Sequence, residues 1–131
     1  MARLLALDVI GGKGLYEVEC EDLNDYYDAL KCDCFDITQR RIGGRVYDIY
    51  CDDEGTYVKN PIPSAFNSEH KPVLVGNLIF AKHDREGGVV GLTDDDIRHI
   101  AGCAQVAKVR IHGTGDYPEQ WTIIHPVDFN L

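Results

Sequence analysis

The stretch that decides the fold runs from Val46 to Phe66, VYDIYCDDEGTYVKNPIPSAF. Val46, Asp48 and Tyr50 alternate with Tyr47, Ile49 and Cys51, which is the period of a strand. Asp52-Asp53-Glu54-Gly55 follows as a turn, with Gly55 at the left-handed position of a short hairpin loop, and Thr56-Tyr57-Val58 returns. Pro61 and Pro63 cannot donate to a ladder, so Asn60–Phe66 is expected to lie across a sheet or link to a distant strand, held by Ile62 and Phe66. A strand, an acidic turn, a second strand and a proline-pinned loop point to an α+β domain.

On the N-terminal side, Arg3 to Ile10 is too apolar for clean alternation and reads as a central strand covered on at least one face. Gly11 to Gly14 breaks it, and Tyr16 to Cys20 alternates as the second arm of a hairpin. Leu23, Tyr26, Tyr27 and Leu30 then recur at helical spacing, with Glu21, Asp22 and Asp25 in the favourable first turn. Cys34 to Ile42 reads as a strand, and Gly43-Gly44 as its turn into Val46–Cys51. On the C-terminal side, Pro72 to Lys82 is the longest strand candidate, interrupted at Gly76 by a bulge or by close approach of the proline segment. Val89-Val90 closes it. Thr93 is a good helix N-cap, Leu92 a staple toward Ile97, and Asp96 stands where a capping box wants Glu or Gln. Ile97, Ile100 and Ala101 form the buried stripe, and Gly102 is the stop. Val106–Ile111 and Trp121–Ile124 are two further alternating runs. The expected architecture is a mostly antiparallel, twisted or barrel-like sheet with two short helices. Residues 1–102 form its core, and residues 103–131 form a strand-rich extension packed on the same domain.

Composition narrows the function. The chain has 131 residues and is 44% hydrophobic, enough for one domain and too apolar for a disordered one. No apolar run is long enough to span a membrane, and MARLLALDVI meets Gly11-Gly12 too soon for a signal peptide. With 22 acidic and 13 basic residues, the formal charge is −9. That disfavours gripping duplex DNA through its phosphates. The five cysteines are an odd number, which suits reduced thiols in the cytoplasm better than a disulfide framework.

The local motifs carry little chemistry. Gly11-Gly12-Lys13-Gly14 lacks the spacing of a phosphate-binding loop. Cys32 and Cys34 would share one strand face but have no Cys-x-x-Cys partner, and the five histidines, His70, His83, His99, His112 and His125, are scattered. His112 and His125, with Asp116 or Asp128, are the nearest approach to a metal set. No catalytic residue, cofactor or metal ligand is assigned. Two carboxylate runs, Asp52-Asp53-Glu54 and Asp94-Asp95-Asp96, are the candidate interaction residues. Arg40, Arg41 and Arg45 with Tyr47 form an alternative face for a small ligand or nucleic acid, which would need stacking aromatics beside a basic groove.

Three stretches resemble the domain of unknown function 3846 family of phage and mobile-element proteins. They are DLNDYYDALKCDCFDI, YDIYCDDEGTYVKNPIPSAF and VLVGNLIFAKHDREGGVVGLTDDDI, and the likeness spans about residues 3–102. The family has no established enzyme activity, so the resemblance carries over no catalytic residue. It implies a non-enzymatic accessory protein of the bacterial cytoplasm. With the acidic charge, it points to a domain that binds a protein, such as a basic host-defence factor. A homodimer, a small ligand- or nucleic-acid-binding module, and a metal-dependent enzyme using Cys32, Cys34 and the tail histidines are the alternatives.

Overall fold

A computed structural model describes residues 2–54, 62–108 and 120–129. In chain order the elements are β1 (Ala2–Asp8), β2 (Gly14–Cys20), α1 (Leu23–Leu30), β3 (Phe35–Ile42), β4 (Arg45–Asp52), β5 (Pro63–Phe66), β6 (Pro72–Val75), β7 (Leu78–His83), β8 (Val89–Val90), α2 (Asp94–Cys103), β9 (Ala104–Lys108), β10 (Gln120–Ile124) and β11 (Val127–Phe129). The fold is α+β and mostly antiparallel, as the sequence pattern requires. Strands β11-β3-β4-β7-β1-β2 form the main sheet, with β8 added to β7, and β6-β5-β10-β9 form a second, smaller sheet. Among these ladders, β5 with β10 is the parallel pair.

β1 is apolar along most of its length because both faces are covered. Leu5 and Leu7 point into one core with Ile42, Tyr47, Ile49 and Phe80, with Ile62 just ahead of β5, with Ala65, Leu74, Ile123 and Ile124 of the second sheet, and with Ile100 of α2. Leu4 and Ala6 point the other way, into a smaller core where Tyr26, Ala29 and Leu30 of α1 cover Tyr50 and Ile79. The main sheet is thus sandwiched, with the second sheet and α2 on one face and α1 on part of the other.

Both helices are set by caps. Asp22 accepts from Asp25 N–H, and the Asp25 carboxylate reaches back to the Asp22 and Glu21 amides. Thr93 and Asp96 close the same reciprocal box on α2, so aspartate suffices where the longer Glu or Gln was expected. Several expected details differ. Leu23 is 58% exposed because the helix turns only Tyr26, Ala29 and Leu30 fully onto the sheet. Ala101 is exposed, and α2 runs past Gly102 to Cys103. Cys32 and Cys34 lie in the connection before β3, not on a strand.

The larger correction is at Gly76. Pro72–Lys82 is two strands in two sheets. Gly76 adopts φ 76°, breaks the ladder, and donates its N–H to the Ile62 carbonyl (2.8 Å), which is the expected close approach of the proline segment. That segment does not cross a sheet: Pro63 opens β5, a position where a strand tolerates a residue that cannot donate. Gly55 and the return strand Thr56–Val58 lie outside the described residues. Between Asp48 and Cys51 both edges of β4 are already taken, by β3 and β7. The C-terminal strands are woven in: β9 and β10 pair antiparallel with each other, and β11 pairs with β3.

Asn77 follows the break and is fully buried. Its Oδ1 accepts from the Val9 and Ile10 amides (2.9 and 3.0 Å), and its Nδ2 donates to the Ala29 carbonyl (3.1 Å). Asn77→Ala strands three backbone groups and is expected to cost about 3 kcal/mol in urea unfolding. The β3–β4 turn gives a second expectation. Gly43 and Gly44 both have positive φ, 55° and 86°. A Cβ on Gly43 would meet Cys103 Sγ at 2.7 Å and His99 Nε2 at 2.9 Å, while one on Gly44 meets nothing within 4 Å. Gly44→Ala should cost about 1 kcal/mol of left-handed strain, and Gly43→Ala about 1 kcal/mol more, because α2 must move. Paired denaturation curves measure the difference.

Candidate functional site

The two carboxylate runs have different fates. Asp53 and Glu54 are exposed at the end of β4, and Asp52 accepts from Glu54 N–H. In the second run, Asp94 pairs with Arg3 and Asp95 with Arg45 at 2.8 Å. Asp96 is buried. It accepts from Thr93 N–H and Oγ–H, from Tyr47 O–H at 3.0 Å and from Lys82 at 3.2 Å. Burial disfavours its charge, but the bonds from Thr93, Lys82 and Tyr47 outweigh that and hold the carboxyl down at about 2. The Tyr47 phenol moves the other way, pushed up to about 12 chiefly by burial. Asp96 thus locks the start of α2 onto β4 and β7.

The four residues of the alternative basic face are not brought together. Arg40 and Tyr47 are buried, Arg40 donating to Thr38 Oγ1 and the Gln39 carbonyl. Arg45 faces Asp95, and Arg41 lies on the opposite side of the sheet, in register with Val46.

That opposite side holds an arrangement the sequence pattern did not reveal. α1 covers one end of it. Toward the other end, Ile37 is 51% exposed, Val46 38% and Val89 42%. Between them His83 Nδ1 sits 2.6 Å from Asp48 Oδ2, and Gln39 Nε2 donates to Asp48 Oδ1 at 3.2 Å. Gln39, Val46, Asp48, Lys82 and His83 line a cleft of about 100 Å³. Asp48 is buried and half of His83 is open to solvent. A carboxylate on Nδ1 orients the ring and leaves Nε2 facing outward. Asp48 and His83 are 35 residues apart, so no motif spacing could have announced the pair.

Beside this face lies an acidic end. Glu17 pairs with Arg3, but Glu19 to Asp36 holds seven carboxylates against the single cation Lys31, and Asp52, Asp53 and Glu54 adjoin this stretch through the Phe35–Asp52 pairing of β3 and β4. The thiols here are poor nucleophiles. Cys20, Cys32 and Cys51 are each pushed up to about 11, first by burial and then by neighbouring carboxylates. Among the described residues, no group of three or more His, Cys, Asp or Glu is placed to hold a metal ion, and His112 and Asp116 lie outside those residues.

Residues 4–104 match the family described as Domain of unknown function (DUF3846). The chain belongs to this family. Comparison with curated proteins and with solved structures finds no match. The DUF3846 match ends at Ala104, so β10 and β11, which complete both sheets, lie beyond it. No helix of this DUF3846 domain is long and apolar enough to cross a membrane among the described residues.

Asp96 gives a pH-dependent test. In the unfolded chain its carboxyl titrates near 3.8, and in the folded chain near 2. The native state therefore favours the carboxylate. The resulting stabilisation, about 2 kcal/mol, is fully present above pH 4 and lost as pH falls through 2. Asp96→Asn should lower stability by about 2 kcal/mol at pH 7, and the gap to wild type should close toward pH 2 in urea titrations. A gap that stays constant with pH would show that the charge of Asp96 is not what α2 depends on.

Proposed function

We propose that this DUF3846 domain is a non-enzymatic interaction module that binds a protein on the half of its main sheet that α1 leaves uncovered. The observation that carries the reading is the exposure of Ile37, Val46 and Val89 on that face. Around them, Gln39, Arg41 and His83 supply polar contacts, which matches an apolar centre with a polar rim. The adjoining acidic end, with Asp52, Asp53 and Glu54, selects a basic partner and speeds its encounter. Asp94 and Asp95 contribute less, because Arg3 and Arg45 already answer their charge. In a phage or mobile-element setting the partner that fits is a basic host-defence protein of the bacterial cytoplasm. A second copy of this acidic chain fits the same face less well, since the two acidic ends repel.

The test starts from a partner captured on immobilised protein from bacterial lysate, then purified and titrated. Ile37→Asp with Val46→Asp should weaken binding at least about tenfold without unfolding the bait, since both side chains are exposed. Asp53→Asn with Glu54→Gln should weaken it less, and mainly at low salt. Asp94→Asn with Asp95→Asn should change little. Folded bait that captures nothing, or a partner indifferent to the Ile37/Val46 variant, sinks the proposal. Sedimentation equilibrium of the protein alone reports whether the face instead joins two copies.

A further inference from the structure

A second constellation lies away from the uncovered face, where the small sheet meets β11. His70 stands in the loop joining β5 to β6, and His125 lies between β10 and β11. Their ring centres are 4.9 Å apart with planes inclined at 37°. Both rings line a cavity of about 200 Å³ together with Phe66, Gln105 and Ile123. Phe66 stands edge-on to the His125 ring at 6.5 Å and 88°. The Nδ1 of His125 is buried and has no hydrogen-bond partner. A buried ring nitrogen without a partner is uncommon and asks for an explanation.

We infer that His70 and His125 form a binding site for one divalent transition-metal ion of the zinc and cobalt class. Imidazole nitrogens suit these ions, and they bind at about 2.0–2.1 Å. Two imidazoles sharing an ion at near-tetrahedral angles place their ring centres about 5 Å apart, which is the spacing found. The Gln105 amide oxygen and water supply the remaining positions. An ion at this point also gives the orphaned Nδ1 of His125 a partner.

Both histidines are held in place by the chain itself. Asn67 accepts through its side chain from the Glu69 and Lys71 amides, and its carbonyl accepts from His70 N–H. Ser68 donates twice to Asp128, which ties this loop to β11. His125 N–H donates to the Cys103 carbonyl at 3.2 Å. His70 keeps a left-handed backbone, φ 63°, a conformation non-glycine residues seldom hold without a constraint. The charge of −9 favours a cation over an anion in this cavity.

The test is titration of the full, reduced chain with Zn²⁺ by calorimetry and with Co²⁺ by visible absorption. One equivalent should bind, and the cobalt spectrum should lack a thiolate charge-transfer band. His70→Asn, which preserves the left-handed backbone, and His125→Gln should each weaken binding at least tenfold. His83→Asn should leave it unchanged. Circular dichroism and the thermal midpoint of the His70→Asn protein verify that its loss is not unfolding. Absence of binding at millimolar metal, binding unaffected by both variants, or a thiolate band showing that the cysteines take the ion would each overturn the site.

Discussion

The chain changes sheets at Gly76 and Asn77, and the rest of the architecture depends on that step. Gly76 supplies a left-handed turn and an amide for the Ile62 carbonyl. Asn77 then ties the turn after β1 and the end of α1 to the start of β7, just beyond the Leu7–Leu78 pairing where the β1–β7 ladder stops. All three groups it satisfies are backbone groups that burial would otherwise leave unpaired. With the step made, β6 stays in the small sheet while β7 enters the middle of the large one. The apolar face of β1 and β7 is then closed by a second sheet, while the helix covers only part of the opposite face.

Local periodicity made much of this legible. The double-sided apolar run of β1, the alternation in β3 and β4, the Gly43-Gly44 turn and the Thr93 cap were all plain from the order of residues. Tertiary context decided what was not. A glycine inside Val73–Phe80 looks the same whether it makes a bulge or a change of sheet. Pro63 argues against a strand unless it is the first residue. Leu23 has the spacing of a buried side chain, but the short helix reaches the sheet only with Tyr26, Ala29 and Leu30.

The site residues were harder to read for the same reason. Asp94, Asp95 and Asp96 are chemically identical in the sequence. The first two lie on the surface beside arginines, and only the third turns inward to Tyr47 and Lys82. Asp48 with His83, and His70 with His125, are pairs made by strand register and loop placement over dozens of residues. No spacing rule reaches that far. The acidic balance of the chain and its crowding around α1 are visible in the order of residues, but its internal neutralisation near α2, where Arg3 and Arg45 meet Asp94 and Asp95, required the fold.

The pairing of β11 with β3 has a consequence for the order in which the protein can be made. Val127 faces Ile42 and contributes a fully buried side chain to the larger core. β3 is synthesised long before β11, so this edge of the main sheet stays open until β11 has followed. The same holds for β5, whose partner β10 also comes late. Contacts of such long sequence separation slow folding and leave strand edges exposed in the meantime. During synthesis the nascent chain presents unfinished sheet edges, and the carboxylates spread along β2 and α1 are well placed to keep neighbouring nascent chains apart.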